Sequence, residues 1–444
     1  MNKTMGIFDT VAEAIAAAQA AQKDLVKNYT LEDRDRMINK IAEVFMGDIE
    51  TFAQMEFDET GYGRVSHKIA KTMNPLLTHE TTAAIPTNMY ASDKGLTVEY
   101  WAPFGVIGAV TPVTNPIATI MSNSINMIIG GNAVIFNPHP ASVECSSYTV
   151  GTLNEAIVAA GGPENLVVMV KDPTMKTLDE IMAHPAVKLL VGTGGPAMCH
   201  TLQISGKKCI CAGAGNPPSI VDETADIPKA AAGIYGSASF DNNLLCIAEK
   251  EIFVVDAVYD QFMEELVKVG AYRMNAEETE KVTKLVCVPD KTGKLVTNKN
   301  YVGHMANVIM RDAGCPIDSD PFICVFDAEF EHPLVMIEQM LPIIPVVRCK
   351  DFAEAMERAI AAERDCKHSA SIWSQSIDHV TAFGKVINTT VFVQNGGTMA
   401  AFGNGGSGTG SPTIATPTGE GITGPQSFVR RRRFCMAGGG NYLL

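Results

Sequence analysis

From residue 105 onward the chain repeats one pattern: a short, unbroken apolar run, then a stretch of helical length, then another run. The runs cover 105–110, 133–136, 165–170, 187–192 and 207–212, with helical segments such as 116–130 and 142–160 between them. A strand with one solvated face alternates apolar and polar residues, so strands apolar throughout must be covered on both faces. Intervening helices supply that cover, which predicts a parallel sheet. After Asp222 a second alternation begins, with expected strands at 251–256, 322–327, 345–350, 369–374 and 390–395. The expected fold class is α/β with two such domains. The first ~75 residues read as helices, because 11–23 is Ala-rich and 33–52 spaces its apolar residues by three and four.

A chain of 444 residues, 46% hydrophobic and 19% charged, has ample material for buried cores. The net charge of -14, from 35 basic and 49 acidic residues, disfavours a nucleic-acid partner. Arg430, Arg431, Arg432 and Arg433 run against that balance and read as a solvated or interface stretch. The first residues lack the pattern of a signal peptide, and no apolar run approaches the ~18 residues that span a bilayer, so no membrane role is expected. The 11 cysteines include no CxxC pair, and Cys209 with Cys211 read as small buried hydrophobes. No metal is expected, and many free thiols point to a reducing cytoplasm. Residues 396–421 are rich in Gly, Ser, Thr and Pro and are followed by a basic strand at 427–435. A flexible tail is one reading. A subunit-bridging arm is the other, since that strand has no partner of its own nearby.

Four segments carry chemistry. Cys246 follows an Asn-rich turn and precedes a strand, which suits an exposed thiol as well as an inert buried one. Thr111, Pro112 and Asn115 stand at the carboxyl end of the first parallel strand, where open α/β sheets bind ligands, although an Asn before Pro also caps helices. Gly192, Thr193, Gly194 and Gly195 form a glycine turn between strand and helix that lets backbone approach a dinucleotide, without being GxGxxG. The segment 211–218, containing Gly213, is a second Gly-rich strand end of the same ambiguity.

In this order and setting, PFGVIGAVTPVTNP, GNAVIFNPHP, AGAGNPP, SFDNNLLCIAEKE and IATPTGEG resemble the aldehyde dehydrogenase superfamily. They are most similar to its CoA-acylating branch, which makes propionyl-CoA or acetyl-CoA in bacterial microcompartments. The resemblance implies a Rossmann-like cofactor domain at 1–218, a catalytic domain at 219–400 and Gly-rich loops with an oligomerisation arm at 401–444. It implies a small aldehyde such as propanal or acetaldehyde as substrate, NAD or NADP as cofactor, coenzyme A as co-substrate, and a homodimer or homotetramer. A microcompartment shell or co-encapsulated enzymes would be further partners. Because the match begins near Gly6, the N-terminal extension that directs encapsulation is expected to be absent, leaving the bacterial cytoplasm or a microcompartment as the location.

Residue by residue, the resemblance makes Cys246 the nucleophile, with the Asn115 amide and the Cys246 N–H holding the oxyanion. Asn137, Pro138 and His139 would meet the adenosine ribose, Thr193, Gly194 and Gly195 the pyrophosphate, and Glu338 the nicotinamide ribose. Thr111, Pro112 and Gly213 complete the cofactor set. Asn137 replaces the family's common lysine, which leaves NAD and NADP both open, and Leu245 replaces the proline before the nucleophile. Ala212 stands where hydrolytic members carry a glutamate. Alanine accepts no proton, so water loses its general base, whereas a thiol attacks a thioester without one. The expectation is acyl transfer to coenzyme A, with a hydrolytic aldehyde or semialdehyde dehydrogenase as the alternative.

Overall fold

A computed structural model of the protein describes residues 3–438; the last residues of the expected arm, 439–444, lie outside the described residues, as do 1–2. The chain divides into two compact units, one of 1–59, 71–212 and 409–444, the other of 60–70 and 213–408.

The first unit is built on six parallel strands in the spatial order Ile7–Phe8, Val167–Val170, Ala133–Pro138, Val106–Thr111, Val187–Thr193, Lys208–Ala212. The five runs expected from apolar patterning are all strands here, and Ile7–Phe8 adds a short edge. Strand order reverses between Val106–Thr111 and Val187–Thr193, which is where a doubly wound sheet opens a crevice at its carboxyl ends. Helix Pro116–Ile129 crosses from one strand to the next with every residue buried, as a helix apolar on most sides must be. Near the N-terminus, Val11–Asn28 is capped by Thr10 and Leu31–Gly47 by a Thr30–Asp33 capping box. The helix expected over 33–52 is two helices, because the chain turns at Asp48 before Ile49–Thr60.

The basic strand has a partner after all: Val429–Ala437 pairs antiparallel with Gly95–Pro103 over nine residues, and Asn88–Ser92 completes this sheet. Arginine chemistry explains the run. Arg433 Nε donates to Glu99 Oε1 at 3.0 Å, while Arg431 and Arg432 lie over Trp101 and Tyr100 at 5.5 and 5.7 Å. Val429–Ala437 is an edge strand, with Phe434 and Met436 exposed. The Gly-rich stretch is no loose tail: Ile414–Ala415 pairs with Gly421–Ile422, and Thr418 Oγ1 accepts from Cys211 N at 3.0 Å.

The second unit holds seven parallel strands, ordered Tyr272–Arg273, Cys324–Ala328, Ile343–Cys349, Glu251–Val255, Pro218–Val221, Ser369–Trp373, Val391–Gln394. Pro218–Val221, hidden in the sequence behind two prolines, is central to this sheet; proline is tolerated as its first residue. Ile234, Ile252, Val254, Phe262 and Ile344 pack one face, and Phe253, Val347, Ala359 and Phe383 the other. Among the described residues, no helix is long and apolar enough to cross a membrane.

Candidate active site

The segment carrying Cys246 runs from helix Ile227–Ala238 through a turn at Phe240–Asn243 to strand Glu251–Val255. Asp241, Asn242 and Asn243 are all left-handed, with φ of 51°, 57° and 62°. Asn and Asp tolerate that conformation better than other side-chain-bearing residues, which is why the turn reads Asp-Asn-Asn. Each is locked by its own bonds. Asp241 accepts from Arg64 N at 3.0 Å and its N–H donates to His67 Nδ1 at 2.9 Å. Asn242 accepts from Arg64 Nε at 2.8 Å and donates to Gly303 O at 2.8 Å. Asn243 donates to Ala238 O and Glu249 O at 2.8 and 2.9 Å. Lys68 and Asp241, both fully buried, form an ion pair at 3.8 Å. Residues 60–70, far upstream in sequence, thus form the frame of the turn. Sequence reasoning assigned none of them.

Four neighbouring strands then converge their amino ends on the thiol. Cys246 and Lys250 precede Glu251–Val255, Gly215 precedes Pro218–Val221, Glu338 precedes Ile343–Cys349, and His368 precedes Ser369–Trp373. Gly215 N donates to Glu338 Oε1 at 3.1 Å. A Cβ on Gly215 would lie 2.6 Å from Cys246 O and 2.8 Å from the His368 ring, so only glycine lets these three approach.

Cys246 is half-buried. Burial first, then the Glu338 charge, push its thiol up to about 12. Lys250 and the backbone N–H groups of Cys246 and Ile247 pull the other way. Those N–H groups at the sulfur are donors for negative charge there. Burial raises the Glu338 carboxyl, with Lys250 opposing, and lowers His368 to about 3, so the imidazole is neutral at physiological pH. His368 Nδ1 pairs with Ser369 Oγ at 2.8 Å, and its buried Nε2 has no hydrogen-bond partner. Neither His368 nor Lys250 was singled out in the sequence, although Lys250 stands within SFDNNLLCIAEKE.

The expected cofactor residues of the first unit gather at the carboxyl ends of three adjacent strands. Thr111, Pro112 and Asn115 follow the central one, Asn137, Pro138 and His139 end or follow its neighbour on one side, and Thr193, Gly194 and Gly195 on the other. Asn115 is the first residue outside helix Pro116–Ile129 and is buried, yet its side chain makes no capping bond. Asn137 accepts from Thr177 Oγ1 at 2.7 Å and donates to Thr174 O at 3.3 Å, which fastens the start of helix Met175–Ala183. Thr193 Oγ1 pairs with Thr413 Oγ1 at 2.9 Å, and Gly194 N donates to Ala212 O at 3.1 Å. Two features fit a dinucleotide here. Thr111 Oγ1 is buried without a hydrogen-bond partner, and the space where a Gly195 side chain would lie, at the start of helix Pro196–Gln203, is open. Gly213 is the residue at which the chain passes into the second unit.

A half-buried thiol beside a locked turn in one unit, and in the other a crevice sheet with an open helix start, suit a thiol nucleophile and a nucleotide. The aldehyde dehydrogenase family model matches residues 8–415, and the chain belongs to that family. Its relatives narrow the class. An acetylating acetaldehyde dehydrogenase of Bilophila wadsworthia is 42% identical over 440 residues, spanning 97% of this chain and 90% of the relative. A propionaldehyde dehydrogenase of Rhodopseudomonas palustris, solved with bound CoA and an acylated cysteine, superposes with a TM-score of 0.94 at 40% identity, covering 97% of this chain and 98% of that one. A propionaldehyde dehydrogenase from the fucose utilisation microcompartment of Clostridium phytofermentans gives 0.94 at 42% identity and 98% coverage of both chains.

Proposed function

We propose that this chain is a CoA-acylating aldehyde dehydrogenase, which oxidises a short aliphatic aldehyde, propanal or acetaldehyde, on Cys246 and delivers the acyl group to coenzyme A. The observation that carries the reading is the half-buried Cys246 thiol, three residues past a locked left-handed turn and packed closely against Gly215. Names of relatives about 40% identical over nearly their whole length support it.

In the first step the Cys246 thiolate attacks the aldehyde carbon, and the carbonyl oxygen takes up the negative charge as the S–C bond forms. The Asn115 side-chain amide and the Cys246 N–H are assigned to that oxyanion; loss of one such donor costs about 3 kcal/mol. NAD or NADP, when bound, supplies the acceptor for the hydride leaving that carbon. Thr111, Pro112, Asn137, Pro138, His139, Thr193, Gly194, Gly195, Gly213 and Glu338 are assigned to hold it. Cys246 then carries a thioester. Ala212 offers no carboxylate to activate water against it, so the coenzyme A thiol gives its proton to solvent, its sulfur takes the acyl group as the Cys246 S–C bond breaks, and Cys246 returns as thiolate. The hydrolytic alternative needs the base that Ala212 lacks.

The assembly proposed is a homodimer or homotetramer in which the free edge of Val429–Ala437 pairs with a second copy. We place the enzyme in the bacterial cytoplasm and, by analogy with the Clostridium relative, inside a microcompartment with its shell or neighbouring enzymes.

The test is product analysis by mass spectrometry at saturating aldehyde and NAD⁺. Without CoA, a burst of about one NADH per active site should be followed by a stall. With CoA, turnover should resume and yield acyl-CoA by ping-pong kinetics. Steady release of free carboxylic acid without CoA, as fast as turnover with it, would overturn the assignment.

A further inference from the structure

Lys250 has no step in the mechanism above, yet it is a fully buried charge four residues beyond the nucleophile. Its Nζ donates to Asn243 O at 2.8 Å, Asn243 Oδ1 at 2.6 Å and Leu245 O at 2.9 Å. An ammonium has three N–H donors and no acceptor, so these three oxygens saturate it. A neutral amine has only two donors and would leave one of those buried oxygens unmet. The geometry therefore describes a cation at neutral pH, held against burial that lowers the amine to about 8.

What that cation holds is specific. Asn243 is the last of the three left-handed residues, and Leu245 is the residue before Cys246. The same ammonium thus ties the end of the strained turn to the carbonyl of the peptide whose N–H belongs to Cys246.

Its electrostatic surroundings come from several elements. Glu249 and Glu251 flank it in sequence, Glu338 faces it from the lead into Ile343–Cys349, His368 from the lead into Ser369–Trp373, and Cys246 from its own loop. Arg364 acts on Glu338 and Glu251. Burial pushes all three carboxyls toward their neutral forms, Glu251 most strongly. His368 is neutral as well. Of the charges that act on Lys250, Glu338 comes first and Cys246 second.

We propose that Lys250 is the positioning residue of the nucleophile: it clamps the turn through the carbonyls of Asn243 and Leu245, and it is the countercharge under which Cys246 loses its proton to solvent. This rests on Cys246 being the nucleophile, and the experiment separates the two claims.

Full-length wild type, Lys250→Gln, Lys250→Met and Lys250→Arg are treated with iodoacetamide from pH 6 to 10, without aldehyde, nucleotide or CoA. Because the chain has 11 cysteines, modification is quantified on the Cys246 peptide by mass spectrometry. Lys250→Gln keeps amide donors for the loop and drops the charge, whereas Lys250→Met drops both. Both should slow Cys246 alkylation at pH 7, where the wild-type lysine is charged, by about tenfold or more, the rate change that a thiol raised by one pH unit produces. Lys250→Arg keeps the charge on a planar fork that cannot reproduce the three-pronged clamp. It should hold the pH 7 alkylation rate within about threefold while kcat falls at least tenfold and KM for aldehyde changes less. A merely structural lysine would not move that rate.

A folded Lys250→Gln or Lys250→Met with the wild-type alkylation profile would overturn the proposal. If neither folds, Lys250→Arg decides: it keeps the charge and loses the three-pronged clamp, so a folded Lys250→Arg with wild-type kcat overturns the proposal. Failure of the underlying reading looks different, since wild type alkylated at Cys246 would then keep its aldehyde-dependent activity.

Discussion

Gly215→Ala isolates the effect of placement from that of chemistry. Gly215 does not have a left-handed φ, so alanine meets no backbone strain there and would by itself stabilise the fold by about 0.4–1 kcal/mol. The added methyl, however, would sit 2.6 Å from Cys246 O and 2.8 Å from the His368 ring. Ordinary contact begins near 3.5 Å, so the nucleophile's own peptide must retreat by roughly 0.9 Å. That peptide cannot yield cheaply, because Asp241, Asn242 and Asn243 are fixed by Arg64, Gly303 and Ala238 and the following Lys250 is tied to Gln339 at 2.7 Å. A displacement of this order at a reacting centre costs about 10²-fold in rate, or about 2.7 kcal/mol of barrier. The expected outcome is a kcat/KM for propanal about a hundredfold below wild type, with a melting temperature within a few degrees of it. Iodoacetamide should still label Cys246, showing that the thiol is present but misplaced. A variant retaining kcat/KM within threefold of wild type would refute the claim that the strand leads fix the sulfur to sub-ångström tolerance.

Cys246→Ser should abolish aldehyde-dependent NADH formation with the fold intact; more than about a tenth of wild-type rate, against the roughly 10⁶-fold scale of nucleophile loss, exonerates Cys246. Deleting the residues after Pro425 should yield monomers or aggregates by light scattering, and an unchanged particle size would dismiss the arm as the bridge. Acid stability carries a sign fixed by His368, which is held down at about 3 in the fold but titrates near 6.5 in an unfolded chain. Between those values the unfolded chain binds a proton the native one does not, so stability falls as pH drops, by up to about 1.4 kcal/mol per unit. His368→Gln should flatten the urea midpoint between pH 4 and 6.5; parallel curves for both proteins would contradict this.

The strands were legible because burial on both faces erases alternation and leaves unbroken apolar runs, as at 187–192 and 251–256. Pro218–Val221 was not, because Pro217 and Pro218 signal a turn, and only the sheet context makes a proline acceptable as a first residue. The helix over 33–52 was misread as continuous because apolar spacing runs straight through Asp48, where the backbone leaves the helical region. Cys246 and Glu338 are assigned through phrases resembling a family rather than through periodicity.

What stayed hidden is the frame of the site, and the reason is physical. Arg64 reaches Asp241 and Asn242 across 177 and 178 residues, and no local pattern records a contact of that separation. Lys250 sits in Glu-Lys-Glu, which by composition looks like a solvated turn. Yet the triplet runs from just past Cys246 into a strand whose five residues, Glu251 among them, are all buried, leaving no room for a surface excursion. A charge forced into that position must be paired or hydrogen-bonded to the full, and Lys250 is. The same constraint links stability to catalysis here: the buried cation that holds the last of the three left-handed residues is also the countercharge proposed for the thiolate. Evolution of a new acyl specificity is therefore expected to alter residues lining the substrate while leaving 241–243 and Lys250 untouched, because changes in that turn disturb fold and nucleophile together.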